Sequence, residues 1–207
     1  MLKKFVRTMA YIGGIVTGFY LFASAPGIHK KKKWQHLTGW DYAHRGLYDN
    51  EHGIPENSMA AFRRAVDKGY GIELDVHLTA DNQLVVFHDD TLTRMCGMNK
   101  KISSFLYSDL MQLRLLGTEE GIPLFKDVLE LIDGKVPLII ELKVDGSNQN
   151  LLCPLVWQLL SRYKGDYCIE SFHPFVLQWF KRHEPQVVRG QLSCNFFKEN
   201  PHCDIVL

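Results

Sequence analysis

Asp41-Tyr-Ala-His-Arg-Gly-Leu47 and Gly71-Ile-Glu-Leu-Asp-Val-His77 decide how this chain is read. Each sets polar and charged side chains where a short apolar strand ends. Tyr42-Ala43 delivers His44 and Arg45, and Gly46 permits the sharp turn that must follow. Glu73 and Asp75 are two apart, a period that on a strand puts both on one face about 7 Å apart, close enough to share a divalent cation. Val136-Pro-Leu-Ile-Ile-Glu-Leu-Lys143 repeats the pattern with Glu141 and Lys143. Three strands ending in His/Arg, Glu/Asp and Glu/Lys describe a site rather than a solvated surface.

Further motifs follow in order: Pro55-Glu56-Asn57-Ser58 with Ala61-Phe62, Thr79-Ala-Asp81, and Val85-Val-Phe-His88-Asp89. Together with His44-Arg45-Gly46, Glu73-Leu74-Asp75-Val76 and Glu141-Leu142-Lys143, they resemble the glycerophosphodiester phosphodiesterase family over roughly residues 42–192. The resemblance implies a TIM (β/α)8 barrel and a metal-dependent phosphodiesterase acting on substrates such as glycerophosphocholine. Glu73, Asp75 and Glu141 are hard oxygen donors suited to Mg²⁺ or Ca²⁺, and the resemblance gives them the same ligand role. The plainer reading of each is a salt-bridged carboxylate at a strand end.

His44 and His88 are acid and base candidates, because imidazole titrates near neutral pH and the family pattern places its catalytic pair at these positions. Which one is the acid stays open. Arg45 and Lys143 are expected to face the substrate phosphate, and Asn57 either to join them or to cap a helix. His77 shares the face of Glu73 and Asp75 but falls beyond the strand end and is left out. His52, His173, His183 and His202 read as surface or structural.

With 207 residues, 46% of them hydrophobic, the chain can bury one good core. A net charge of +1 gives no field for nucleic acid. The basic residues cluster instead at Lys3, Lys4 and Arg7 and again at Lys30 to Lys33, around the uncharged run Tyr11-Ile-Gly-Gly-Ile-Val-Thr-Gly-Phe-Tyr-Leu-Phe22. That pattern predicts a single-pass membrane anchor over 1–29 and a basic linker over 30–38 that could lie on anionic headgroups, followed by the catalytic domain over 39–207. A cleaved signal peptide ending at Ala23-Ser-Ala25 is the rival, with Pro26 against it. Four consecutive lysines and five unpatterned cysteines lean toward a cytoplasmic domain.

The remaining spacing predicts alternating strands and helices. A helix capped by Asn57 or Ser58 ends near Lys68-Gly69. The turn Thr79-Ala-Asp-Asn-Gln83 is too short for a parallel crossover, so residues 84–88 should fold back antiparallel and open an insertion reaching roughly Gly121. A helix from Ser108-Asp109 through Leu110, Leu113 and Leu116 is expected within it. Helices at 126–132 and 149–163, the second irregular at Pro154, alternate with strands at Leu138, 167–172 and 187–192, and a further helix begins at Pro174. A TIM barrel takes about 250 residues and eight strands. From Thr38 the chain offers 170 residues and five strands, so an incomplete barrel, truncated at its C-terminus and open at its first and fifth strands, is expected. The activity implied is release of glycerol 3-phosphate and an alcohol; the alternatives are a lysophospholipase D-like hydrolase and an inactive lipid-binding module.

Overall fold

The computed structural model describes residues 4, 7–11, 13–15, 17–18, 34–194 and 203–206. Ile72, Leu74, Val76 and Leu78 let β2 (Gly71–Leu78) be buried along its whole length, as the centre of a parallel sheet requires, with His77 a buried polar exception. β1 (Tyr42–His44) lies on one side of it and β4 (Leu138–Leu142) on the other, followed by β5 (Tyr167–Ser171) and β6 (Val188–Cys194), all parallel. The parallel strands follow one another in chain order, joined by α1 (Met59–Lys68), α4 (Phe125–Ile132), α5 (Gln149–Leu160) and α6 (Pro174–His183). The fold is α/β, a parallel-strand half-barrel consistent with a TIM barrel. The expected open edge of the fifth parallel strand is corrected: β7 (Cys203–Val206) pairs antiparallel with β6.

The helices form where their apolar spacing and caps coincide. Ser58, not Asn57, caps α1: its Oγ accepts from the Ala61 N–H at 3.1 Å, and Gly69 ends the helix at φ 72°. Phe125, Val128, Leu129 and Ile132 give α4 one buried stripe. α5 runs through Pro154 without interruption and stops at Leu160, short of the expected Tyr163. Pro174 opens α6 at its first position, where a missing N–H costs nothing. One cluster, from Phe62 through Ile72, Leu74, Phe125, Ile140 and Phe180, fills the space between these helices and the sheet. Each such side chain contributes about 1.5–3 kcal/mol.

As the short turn requires, β3 (Leu84–Val86) folds back antiparallel on the last residues of β2, with Val76 opposite Val86. The segment 87–122 then leaves the barrel and returns beside its own start: the Val86 N–H donates to Pro123 O at 2.9 Å and Val85 bridges Leu124. It has a core of its own, including Phe87, Leu92, Met95, Ile102, Leu110, Leu115 and Ile122. Its regular structure is one helical turn at α2 (Thr93–Cys96), one at α3 (Tyr107–Leu110) and two 3-10 turns, Ile102–Ser104 and Leu115–Gly117. The helix expected through Leu116 is therefore corrected. Leu110 reaches the small core from the end of α3 and Leu115 from a turn closed by Leu115 N–H to Glu120 O, while Leu116, at φ 50°, is exposed.

Among the described residues no helix is long and apolar enough to cross a membrane. The run expected to do so is described only at 11, 13–15 and 17–18, which are helical; the rest of it, residues 30–33 of the linker, and His202 lie outside the described residues. From Trp34 the chain is tied to the barrel, with Leu37 buried and its carbonyl accepting from Tyr42 Oη at 2.8 Å.

Candidate active site

Sheet register sets the first part of the site. Asp75 pairs with Glu141, and His44 with Glu73, so strands β1, β2 and β4 bring these groups to one end of the sheet on one face. One oxygen from each of Glu73, Asp75 and Glu141 lies within 4.8 Å of the others, and all three residues are buried. Lys143 Nζ sits between two of them, 3.0 Å from Asp75 Oδ1 and 2.7 Å from Glu141 Oε1. Asp75 Oδ1 nonetheless takes no directed hydrogen bond.

Three carboxylates against one ammonium leave an excess of buried negative charge, which the titration behaviour reflects. Burial and the neighbouring Asp75 push Glu73 well above the ordinary carboxylate range. Burial raises Glu141 to about 7 although Lys143 opposes it. Burial also acts on Asp75, but Lys143, His88 and the Asn57 side chain outweigh it and hold that carboxyl low. A donor set of hard oxygens with an orphaned lone pair and unneutralised charge fits a divalent cation held by Glu73, Asp75 and Glu141.

The β1–α1 loop supplies the second part. Arg45 and Asn57 both adopt left-handed backbone, at φ 58° and 54°, and the Asn57 N–H donates to Arg45 O at 2.9 Å. For an arginine that conformation costs roughly 1–2 kcal/mol, and here it aims groups into the site. The Arg45 N–H donates to Glu73 Oε2 at 2.9 Å, and Asn57 Nδ2 to Asp75 Oδ2 at 2.9 Å. Gly46 must be glycine: at φ 81° any Cβ would meet the Ala61 Cβ at 2.9 Å. The Arg45 guanidinium is already engaged, Nη1 donating to Glu56 Oε1 at 2.8 Å. His44 is two-thirds exposed, with Nε2 3.8 Å from Glu73 Oε2, and burial followed by the Arg45 charge lowers its pKa.

The insertion brings the third part. His88 Nδ1 is 2.6 Å from Asp89 Oδ1, which leaves Nε2 as the ring nitrogen free to react. Asp89 is gripped in turn by Arg94, Nε to Oδ2 at 2.8 Å and Nη2 to Oδ1 at 3.0 Å. Arg94 also donates Nη1 to Glu56 Oε2 at 2.8 Å and Nη2 to Glu56 Oε1 at 2.7 Å. A continuous chain of ion pairs thus runs from Arg45 through Glu56 and Arg94 to Asp89, and a hydrogen bond carries it on to His88. Burial works against the charge of Asp89, yet bonds from Arg94 and His88 bring its carboxyl down to about 2. His77, left out above, is buried with Nε2 3.2 Å from His88 O, supporting that residue's backbone.

The model of the glycerophosphoryl diester phosphodiesterase family matches residues 44–195, most of the chain and the whole of this constellation. The chain belongs to that family. It is 34% identical over 173 residues to lysophospholipase D GDPD1 of Rattus norvegicus, covering 77% of this chain and 52% of that one. A glycerophosphodiester phosphodiesterase of Caldanaerobacter subterraneus is 34% identical over 166 residues, 72% of this chain and 65% of that one. Among solved structures, an Oleispira antarctica phosphodiesterase in complex with the product sn-glycerol-3-phosphate aligns at TM-score 0.68 and 26% identity, over 76% of this chain and 66% of the other. The chain spans about half the length of the mammalian relatives it matches.

In this member of the glycerophosphoryl diester phosphodiesterase family, His44, Arg45, Asn57, Glu73, Asp75, Glu141 and Lys143 meet at one end of the sheet, and the insertion brings the charge of His88 to bear on Asp75. Four groups that sequence reading passed over join them: Glu56, Asp89, Arg94 and Glu170. Burial and repulsion from Glu141 lift Glu170 to about 8. A cavity of about 320 Å³ beside Glu141 and Lys143 is also lined by Asp90, Ser171, Phe172 and His173. His173, expected to be structural, therefore borders the site, its ring 5.5 Å from that of Phe175. His52 pairs with Asp49 and His183 stacks on Trp179, both exposed, as expected of surface residues.

Proposed function

We propose that this chain hydrolyses glycerophosphodiesters to glycerol 3-phosphate and an alcohol, with Glu73, Asp75 and Glu141 as metal ligands and His44 and His88 as the acid–base pair. The observation that carries the reading is the trio of buried carboxylate oxygens within 4.8 Å of one another, next to His44 and the Asp89-oriented His88. A divalent cation held there supplies positive charge to a phosphate oxygen and to the glycerol hydroxyls. One histidine removes the proton of the attacking glycerol 2-hydroxyl or water as its oxygen bonds to phosphorus, the bond from phosphorus to the departing alcohol breaks, and the other histidine protonates that alkoxide; where the 2-hydroxyl attacks, a water then opens the cyclic phosphate to glycerol 3-phosphate. Lys143 and Arg45 add charge toward the phosphate, Lys143 as its carboxylate partners turn to the cation. Asn57 holds Asp75 in register for this.

The reading is tested by following glycerol 3-phosphate release from glycerophosphocholine. Activity is expected to vanish in excess chelator and to return with Mg²⁺ or Ca²⁺; full turnover in chelator overturns it. A lysophospholipase D activity is the second reading, favoured by the likeness to the rat and human proteins of that name. It is separated by offering a lysolipid beside glycerophosphocholine. Residues 1–29 are proposed as a membrane anchor and 30–38 as a basic linker on the cytoplasmic side, on the strength of the uncharged run between two basic clusters. Loss of residues 1–33 should move the protein from the membrane fraction; an unchanged distribution overturns the anchor.

A further inference from the structure

Glu170 has no part in the reaction as drawn above, yet the sheet places it in the site. In register, Asp75, Glu141, Glu170 and Gly190 form one row across β2, β4, β5 and β6. Paired residues of a parallel sheet face the same way, so Glu170 projects to the side of the ligand carboxylates. It is only 2% exposed, and its Oε2 is buried with no hydrogen-bond partner. It does not belong to the tight trio of Glu73, Asp75 and Glu141. The nearby ammonium of Lys143 lies against Asp75 and Glu141 instead. The row continues into Gly190, which puts no side chain beside it.

Buried carboxylate oxygens are rarely left unpaired without a functional reason. A carboxyl oxygen accepts from an alcohol O–H, which the glycerol portion of the substrate supplies. We infer that Glu170 is the hydroxyl-binding wall of the site, with Oε2 accepting from the glycerol portion of the substrate. This rests on the phosphodiesterase reading and extends it from reaction to recognition. A site built around a substrate hydroxyl discriminates strongly against ligands that lack it, since they leave the buried acceptor unpaired.

The test is calorimetric binding of sn-glycerol 3-phosphate and of inorganic phosphate, each with saturating Mg²⁺, to the wild type, Glu170→Gln and Glu170→Leu, with Mg²⁺ titrated alone in parallel. Glu170→Leu should lose about 10-fold or more in affinity for glycerol 3-phosphate, and Glu170→Gln, which retains an acceptor, less. Affinity for inorganic phosphate and for Mg²⁺ should stay within about 2-fold. Equal losses for glycerol 3-phosphate and phosphate overturn the subsite, as does a fall in Mg²⁺ affinity, which would make Glu170 a ligand. If Glu170→Leu does not fold, the Gln variant decides alone: selective loss of glycerol 3-phosphate supports the subsite, and unchanged affinity overturns it. Those failures leave the phosphodiesterase reading standing where the wild type cleaves glycerophosphocholine. A wild type that neither cleaves it nor binds glycerol 3-phosphate overturns both.

Discussion

Glu73, Asp75 and Glu141 stand on strands β2 and β4, inside the main core, whereas His88 stands on an insertion with a separate core around Phe87, Leu92 and Ile102. The two regions hold their groups by different forces. Strand register and close packing fix the carboxylates, as a cation site needs, because ligands must keep their places to within about 0.5 Å. The histidine is held by electrostatics, through Asp89 and the four hydrogen bonds of Arg94 to Asp89 and Glu56. Rigid backbone suits the ion proposed for the carboxylates; a fastened but distinct module suits the proton transfer proposed for His88.

Breaking the sheet side should have the largest effect. Glu73→Ala or Asp75→Ala is expected to lower turnover by roughly 10³-fold or more and to abolish tight Mg²⁺ binding, while circular dichroism shows the fold retained, since strand-end residues on this face serve function more than stability. A variant that unfolds instead would mean these carboxylates are structural. On the other side, His88→Ala should lose about 10²-fold or more in turnover with Mg²⁺ affinity intact, and His44→Ala the same. Wild-type turnover in either variant removes that histidine from the mechanism.

Sharper still is Arg94→Ala, which touches no ligand carboxylate. Its turnover should fall roughly 10- to 100-fold as Asp89 and His88 lose their fixed geometry, with Mg²⁺ affinity unchanged and Arg94→Lys recovering part of the loss. Equal damage to metal binding would show that the two regions are not separable in this way.

The smallest effect is one of pH on stability, and it has opposite signs in the two regions. In metal-free protein Glu141 and Glu170 titrate at about 7 and about 8, above their ordinary 4.5. The folded chain thus keeps protons that the unfolded chain has released, and stability falls as pH rises from about 4.5 to about 8. Asp89, held at about 2, works the other way: its contribution is present above its ordinary 3.8 and is lost as pH falls toward 2. Melting temperature against pH should show the downward slope above 4.5, and Mg²⁺ or Ca²⁺ should flatten it. A flat metal-free profile would mean that the carboxylates are already neutralised.

These differences also mark what could be read from the amino acids. Glu73 with Asp75, and Glu141 with Lys143, announced themselves by a spacing of two at strand ends, and the length of the Thr79–Gln83 turn was enough to foresee the antiparallel return, which ends at Val86, two residues before His88. Glu170 carried no such mark in Cys168-Ile-Glu-Ser171: only the β4–β5 register sets it beside Glu141. Glu56 and Arg94 meet across 38 positions of sequence, a contact that folding creates and spacing does not encode. Leu110 lies in a helix as its spacing suggested, but Leu113 and Leu116 did not extend it, because Leu116 turns out to solvent and Leu115 fills the small core in its place.

The two ends of the insertion lie side by side, with Val86 bonded to Pro123 and Val85 bridged to Leu124. In hereditary terms, residues 87–122 are a cassette. Descendants can lengthen or shorten its far loops without shifting a rung of the β2–β4 ladder, provided that its first turn, with His88, Asp89 and Arg94, is kept.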